Sequence, residues 1–215
     1  MVVYSVLLGR LAKVPSDGYP YPVLAFSGLV PWMFFAALLN SACVSLTGSS
    51  HLISKIYFPR LIIPFSAVGP CLMDFLIALS VLTLLIVYFD IPLTLNSFTA
   101  LLFLIPIALC ALGVGTLFAA LNVVYRDFQH LVGLVIQLWF FATPVVYATS
   151  LSPPEWDWLL SLNPMRPLID GFRSALLGRA LDIGSLSSAM TFSVIIFFSG
   201  IFWFQRTERR FADVI

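Results

Sequence analysis

The feature that most constrains this chain is the length of its uncharged apolar runs. A helix rises about 1.5 Å per residue, so about 20 mostly apolar residues are needed to cross a hydrocarbon layer about 30 Å thick. Val23–Leu46, Ile62–Phe89, Phe98–Val124 and Leu186–Phe204 meet that length, and Leu131–Tyr147 comes close. Composition agrees with a chain lying mostly in lipid. Charged residues make up 10% here, against about 25% in a soluble domain whose surface must face water. The expected fold is an all-α polytopic membrane protein. A shorter apolar piece, Val2–Leu8, ends at Gly9-Arg10 and is too short to span. It lacks the basic region and cleavage site of a signal peptide, and it reads as the end of a truncated first span. Residues 1–215 are then one transmembrane domain with five full spans plus that end.

The connections differ in character. Residues 11–22 (LAKVPSDGYPYP) are rich in turn-forming proline and glycine. Residues 48–64 (GSSHLISKIYFPRLIIP) set His51, Lys55 and Arg60 beside Ile56, Tyr57 and Phe58, with Pro59 as a breaker. DIPLTLN, residues 90–96, is a short reversal, and YRDFQH, residues 125–130, is the most polar interruption mid-chain. The segment of about 150–185 is long. It opens with SLSPPEW, carries Trp156 and Trp158, and continues as NPMRPLIDGFRSALLG. Leu168, Ile169, Phe172 and Leu176 recur there at helical spacing, with Gly178 as a stop, so the expectation is two short interfacial or re-entrant helices. Indole rings suit that depth.

Lys and Arg set the orientation. Lys55, Arg60, Arg126, Arg206, Arg209 and Arg210 fall on one side of the expected spans, and Arg10, Lys13, Arg166, Arg173 and Arg179 on the other. The three tail arginines abut a span directly, where the positive-inside bias is strongest, which puts the C-terminus in the cytoplasm. A formal charge of +1 speaks against a nucleic-acid partner.

The search for catalysis is negative. Lys13 and Lys55 are the only lysines, and no phosphate-binding GxxxxGK[ST] loop exists, so ATP is not bound by that route. No HExxH or CxxC occurs; Cys43, Cys71 and Cys110 sit far apart in apolar runs and read as packing residues. No metal site and no catalytic residue is expected. Asp170 and Arg173 lie one helical turn apart and read as a local ion pair. Asp74 is the one acid well inside a span, either functional or hydrogen-bonded to a neighbouring helix.

The order of these elements carries a resemblance. With the truncated piece counted as the first span, YFPR follows the second span and YRDF the fourth. TPVVY ends the fifth, LNPM lies in the long outer segment, and the chain closes with ERRFADVI. Over essentially its whole length the sequence resembles the permease subunit of type-2 ABC exporters, in the branch that exports O-antigen, capsular polysaccharide or teichoic acid. That family begins with an amphipathic helix and a complete first span, from which this chain departs. The resemblance implies a homodimer in the bacterial cytoplasmic (inner) membrane and two copies of a separate ABC ATPase that binds ATP and Mg, this chain having no cofactor of its own. The implied substrate is a lipid-linked glycan moving among membrane lipid; the alternative is a type-2 exporter of a small lipid or drug. A membrane enzyme would need a nucleophile or a His/Asp pair, and none is found.

The resemblance also implies roles. The segments at about 48–64 and 125–130 become coupling helices that dock the ATPase through His51, Lys55, Tyr57, Phe58, Arg60, Tyr125, Arg126 and Asp127; the plainer reading is that these residues anchor helix ends at the headgroups. Phe34, Phe35, Asp74, Trp139, Phe140, Phe141 and Tyr147 are the candidates to line a conduit, because aromatic faces stack on the C–H faces of sugars. Against this, aromatic residues also face lipid and form interface belts. The segment 150–185, with Trp156, Trp158, Asp170 and Arg173, would gate the outer exit or plug the gap between the last two spans.

Overall fold

The computed structural model describes residues 19–48, 59–92, 95–125, 127–146 and 162–214, and among these every regular element is helical. Helix α1, Tyr21–Gly48, begins with Pro22 in its first turn, where a missing N–H costs nothing. A short helix α2, Ile62–Ser66, leads into α3, Val68–Tyr88. A stretch of 3-10 helix, Leu95–Phe103, feeds α4, Leu104–Val124. Then come α5, Phe128–Phe141, α6, Met165–Leu177, and α7, Ile183–Val214.

Among the described residues, four helices are long and apolar enough to cross a membrane: Tyr21–Gly48, Ile62–Tyr88, Ser97–Val124 and Ile183–Glu208. The expected fifth crossing takes a different form. Its helix has 14 residues and spans about 21 Å, short of a hydrocarbon core. Apolar sequence continues through Val146, but Pro144 cannot supply a helical N–H, and residues 142–146 turn instead. Of the two short helices expected between the last spans, α6 is one. The segment around Trp156 and Trp158 lies outside the described residues.

Helix α1 is the centre of the fold and α4 lies between α1 and α7. Both contacts of α4 are built on small residues, which let helix backbones approach where no hydrophobic effect drives association. A Cβ on Gly115 would come within 2.7 Å of the Ala42 Cβ on α1. On the other face, a Cβ on Gly113 would meet Ile196 and Phe197 of α7 at 2.7 Å, and one on Gly200 would run into the Gly113 carbonyl. The core is apolar, with Phe35, Leu38, Leu39, Ile107 and Phe172 fully enclosed. The three cysteines are buried, as their apolar surroundings in sequence predict. Hydroxyls inside the helices are satisfied locally: Ser27 donates to the Leu24 carbonyl, Thr116 to Gly113 and Ser193 to Ala189. Such bonds let polar residues sit in lipid without an orphaned donor. Most of α3 and α7 presents exposed apolar side chains such as Ile77, Leu84, Phe198 and Phe202, as suits a surface against lipid.

Candidate functional site

The antiparallel run of the helices sorts the polar interruptions onto two ends of the bundle. At one end meet the C-termini of α1 and α4, the start of α2 and the late turns of α7. Leu46, Ile63, Ala119, Ala120, Val123 and Phe204 form one cluster there, with Leu61 against it. Arg60 reaches across to α7: its Nη1 donates to the Glu208 carbonyl at 2.9 Å and its Nε lies 3.9 Å from the Glu208 carboxylate. At this exposure the ion pair is worth no more than about 1 kcal/mol. Its consequence is positional, since it ties the segment after YFP to the tail helix.

The second interruption, YRDF, is held at the same end by Asn122 in the last turn of α4. This buried amide donates to the Cys43 carbonyl at 3.4 Å and to Thr47 Oγ1 at 3.3 Å, both on α1. Its Oδ1 accepts the Gln129 N–H at 3.1 Å. That N–H belongs to the first turn of α5, where backbone donors lack helical partners. Asp127, the local candidate for the cap, makes no side-chain cap bond and is exposed. Tyr125, 64% exposed, projects from this end. The described parts of the two expected coupling segments therefore share one end of the molecule. Of their residues, Arg60, Tyr125 and Asp127 are described, while His51, Lys55, Tyr57, Phe58 and Arg126 lie outside the described residues.

At the opposite end a cap forms around α6. Its amide hub is Asn163 of the LNPM motif. Asn163 Oδ1 accepts from Trp139 Nε1 at 2.8 Å and from the Met165 N–H at 3.0 Å. Its Nδ2 donates to Thr143 Oγ1 at 2.8 Å and to the Ala142 carbonyl at 3.3 Å. Two acceptor and two donor positions are all an amide has, and all four are used. Arg173 is 3% exposed; its Nη2 donates to the Val145 carbonyl at 2.9 Å and its Nη1 lies 3.5 Å from Asp170. The expected local pair is present, and the guanidinium also passes α1 at Gly28, where a Cβ would strike both Arg173 and the Val145 carbonyl. Tyr21 donates its hydroxyl to the Val146 carbonyl at 2.9 Å and Tyr19 to Leu177 at 3.0 Å, with Arg179 stacked 4.7 Å over the Tyr19 ring. Gly178 ends α6 at φ 69°, the left-handed conformation that glycine adopts without strain.

Asp182 caps α7. Its Oδ1 accepts the N–H groups of Gly184 and Ser185, and the Ser185 hydroxyl donates to Oδ2. These bonds to the ionised form, the Ser185 hydroxyl first, hold the carboxyl below the usual aspartate value. The sign follows: a lowered folded pKa gives a stabilisation complete above the ordinary aspartate pKa and lost as pH falls through the folded value. Hydrogen exchange at Gly184 and Ser185 is expected to be protected at pH 7 and to lose that protection in acid below the ordinary aspartate range, after correction for intrinsic exchange. Asp182→Ala should lose it at both.

The conduit candidates divide. Phe34 and Phe35 are closed inside the subunit, at 3% and 0% exposure. Trp32, Phe35, Trp139 and Phe140 stack between α1 and α5 with ring centroids 5.0–5.6 Å apart, and Phe34 meets Phe75, which meets Phe172. Phe141 faces outwards, with Gln129, Gly133 and Gln137 exposed below it at intervals of four on α5. Asp74 is exposed near the midpoint of its span. Tyr147 lies outside the described residues. Asn122, Asn163 and Gly28 are not among the residues singled out from sequence. The signal for the two asparagines was present, since each is an amide at the end of an apolar stretch.

A family model described as ABC-2 type transporter matches residues 1–177. The chain is 28% identical over 217 residues to an O-antigen export system permease protein of Klebsiella pneumoniae, covering all of this chain and 82% of that protein. It is likewise 28% identical over 222 residues to an O-antigen export system permease protein of Myxococcus xanthus, covering all of this chain and 83% of the relative. Two polar interruptions gathered at one end of a helical bundle, a cap at the other and a family match over most of the length lead to one conclusion: this chain belongs to the ABC-2 type transporter family.

Proposed function

We propose that the chain is the membrane-spanning permease subunit of an ABC exporter that carries a lipid-linked polysaccharide of the O-antigen kind across the bacterial inner membrane. The observation that carries this reading is the pairing of the YFPR and YRDF segments at one end of the bundle, tied by Arg60 to Glu208 and by Asn122 to Thr47 and Gln129. The relatives' role in O-antigen export supports the cargo. A separate ATPase supplies ATP and Mg chemistry and docks on that end, which faces the cytoplasm together with the arginine-rich tail. Two copies related by a two-fold axis enclose the path for the glycan, the commonest closed arrangement of identical subunits. The conduit surface is assigned to exposed polar groups that lipid would disfavour, Gln137 on α5 and Asp74 on α3, with Phe141 next to Gln137 on the same face. The inner aromatic cluster supports that wall from behind. The cap around Asp170 and Arg173 lies over the exit as its gate.

The test is complementation. Expressed with its own ABC ATPase in a strain lacking its O-antigen permease but making the matching lipid-linked glycan, the chain should restore surface polysaccharide. Tyr57→Ala and Tyr125→Ala should each cut that export by about ten-fold or more while the permease stays at wild-type level in the membrane, as expected when an interface anchor is removed. Export unchanged in both variants would sink the docking roles. ATPase stimulation by a small lipid or drug without glycan export would replace the cargo.

A further inference from the structure

Helix α5 is capped at both ends by side chains that come from elsewhere in the chain. At its start, Asn122 of α4 accepts the Gln129 N–H and holds α1 through Cys43 and Thr47. At its finish, Asn163 donates to the Ala142 carbonyl and to Thr143, accepts from Trp139, and caps the first turn of α6 by accepting the Met165 N–H. Helix termini leave unpaired N–H and C=O groups, and inside a membrane each has to find a partner. Here both partners are amides, and each joins α5 to a second element. Laterally, Val132 is the one buried residue of α5, the rest of its contact being the half-buried Ile136 and half-buried rings against α1 and α4. The strongest directional bonds on α5 are therefore at its ends.

We propose that α5 is the transmission strut of the exporter, with Asn122 and Asn163 as positioning residues that fix it to the ATPase-facing end and to the outer helix α6. The proposal rests on the assignment of the Arg60 end to the ATPase. A helix with its hydrogen bonds closed is stiff along its axis, so a displacement at YRDF reappears about 21 Å away at Thr143. Asn163 then transfers it to α6, because the same amide bonds both helices. Three of the four Asn163 bonds go to Trp139, Ala142 and Thr143 and the fourth to the Met165 N–H, so the amide is fully committed to these two helices.

The test uses the full chain bound to its ABC ATPase in lipid nanodiscs, with paramagnetic labels read by electron–electron distance measurement. Labels go on introduced cysteines at Leu84 as reference, Leu138 on α5 and Ala180 just past α6, all exposed positions; the native cysteines are buried. Trapping the ATPase with ATP and vanadate should shift both the Leu84–Leu138 and the Leu84–Ala180 distance. Asn163→Ala should keep the first shift and lose most of the second. Asn122→Ala should lose both. If Asn163→Ala fails to accumulate, Trp139→Phe combined with Thr143→Val loosens only the α5 side of the amide, leaves the α6 cap intact and carries the same expectation. The proposal is overturned if the Ala180 label moves as in the wild type in these variants, if both shifts survive Asn122→Ala, or if the wild-type α5 label does not move. Surface polysaccharide is scored separately: movement as described without glycan export leaves the strut standing and removes the cargo assignment.

Discussion

Gly200→Ala should prevent the permease from reaching a stable fold. The added Cβ runs into the backbone carbonyl of Gly113, which cannot swing aside as a side chain can, and also meets Thr116 Oγ1 at 2.8 Å. Overpacking an interior costs about 1–3 kcal/mol when neighbouring side chains can yield, and backbone on both sides puts this site at or above the top of that range. In lipid the loss is not offset by water release, since van der Waals contact and close backbone approach are what hold the α4–α7 crossing. The expected readout is a thermal midpoint in detergent lowered well below wild type, with little folded protein in the membrane. Gly69 of α3 is the control, because nothing lies within 4 Å of its added Cβ. Gly69→Ala should be neutral or gain up to about 1 kcal/mol from helix propensity. Equal midpoints for the two variants would mean that the crossing is looser than the structure shows.

The glycine pair illustrates where legibility in the sequence ends. The spans are readable because apolar length is a local property, and α1, α3, α4 and α7 match the runs that define them. Gly178 is readable as a stop and Asp170 with Arg173 as an ion pair, since both depend on residues within one helical turn. The end of α5 is not, because apolarity runs on past Phe141 and only the backbone chemistry of Pro144 and the turn at 142–146 interrupts it. Nor is the site's wiring. Asn122 and Thr47 are far apart in the chain, as are Tyr21 and Val146, and no pattern in the sequence announces those partners. Phe34 and Phe35 carry the same chemistry as Phe141, yet the first two close the core while the third faces out. Which side of a uniformly apolar helix turns inward is decided by neighbouring helices, not by composition.

Gly28→Ala is the second large effect, and it tests whether the cap around α6 hangs on one buried guanidinium. Arg173 crosses α1 where Gly28 has no side chain and donates to the Val145 carbonyl at 2.9 Å, with Asp170 at 3.5 Å. An added Cβ overlaps both the guanidinium and that carbonyl, so Arg173 has to leave Val145 while remaining in a site 3% exposed. Taking one acceptor away from a charge that stays buried costs about 1–3 kcal/mol. The loss should appear as a lower thermal midpoint and as early protease cleavage between α5 and α6. Arg173→Met separates this cause from simple crowding. Methionine keeps much of the volume, carries no charge to strand and bends to fit an irregular space, so the variant alone should cost far less. In combination, Gly28→Ala on the Arg173→Met background should lose only the residual overlap with Val145, and the two changes should fall well short of additive. Strict additivity would show that Gly28 and Arg173 act independently, and the cap would then have to be held by Asn163 and Tyr21 instead.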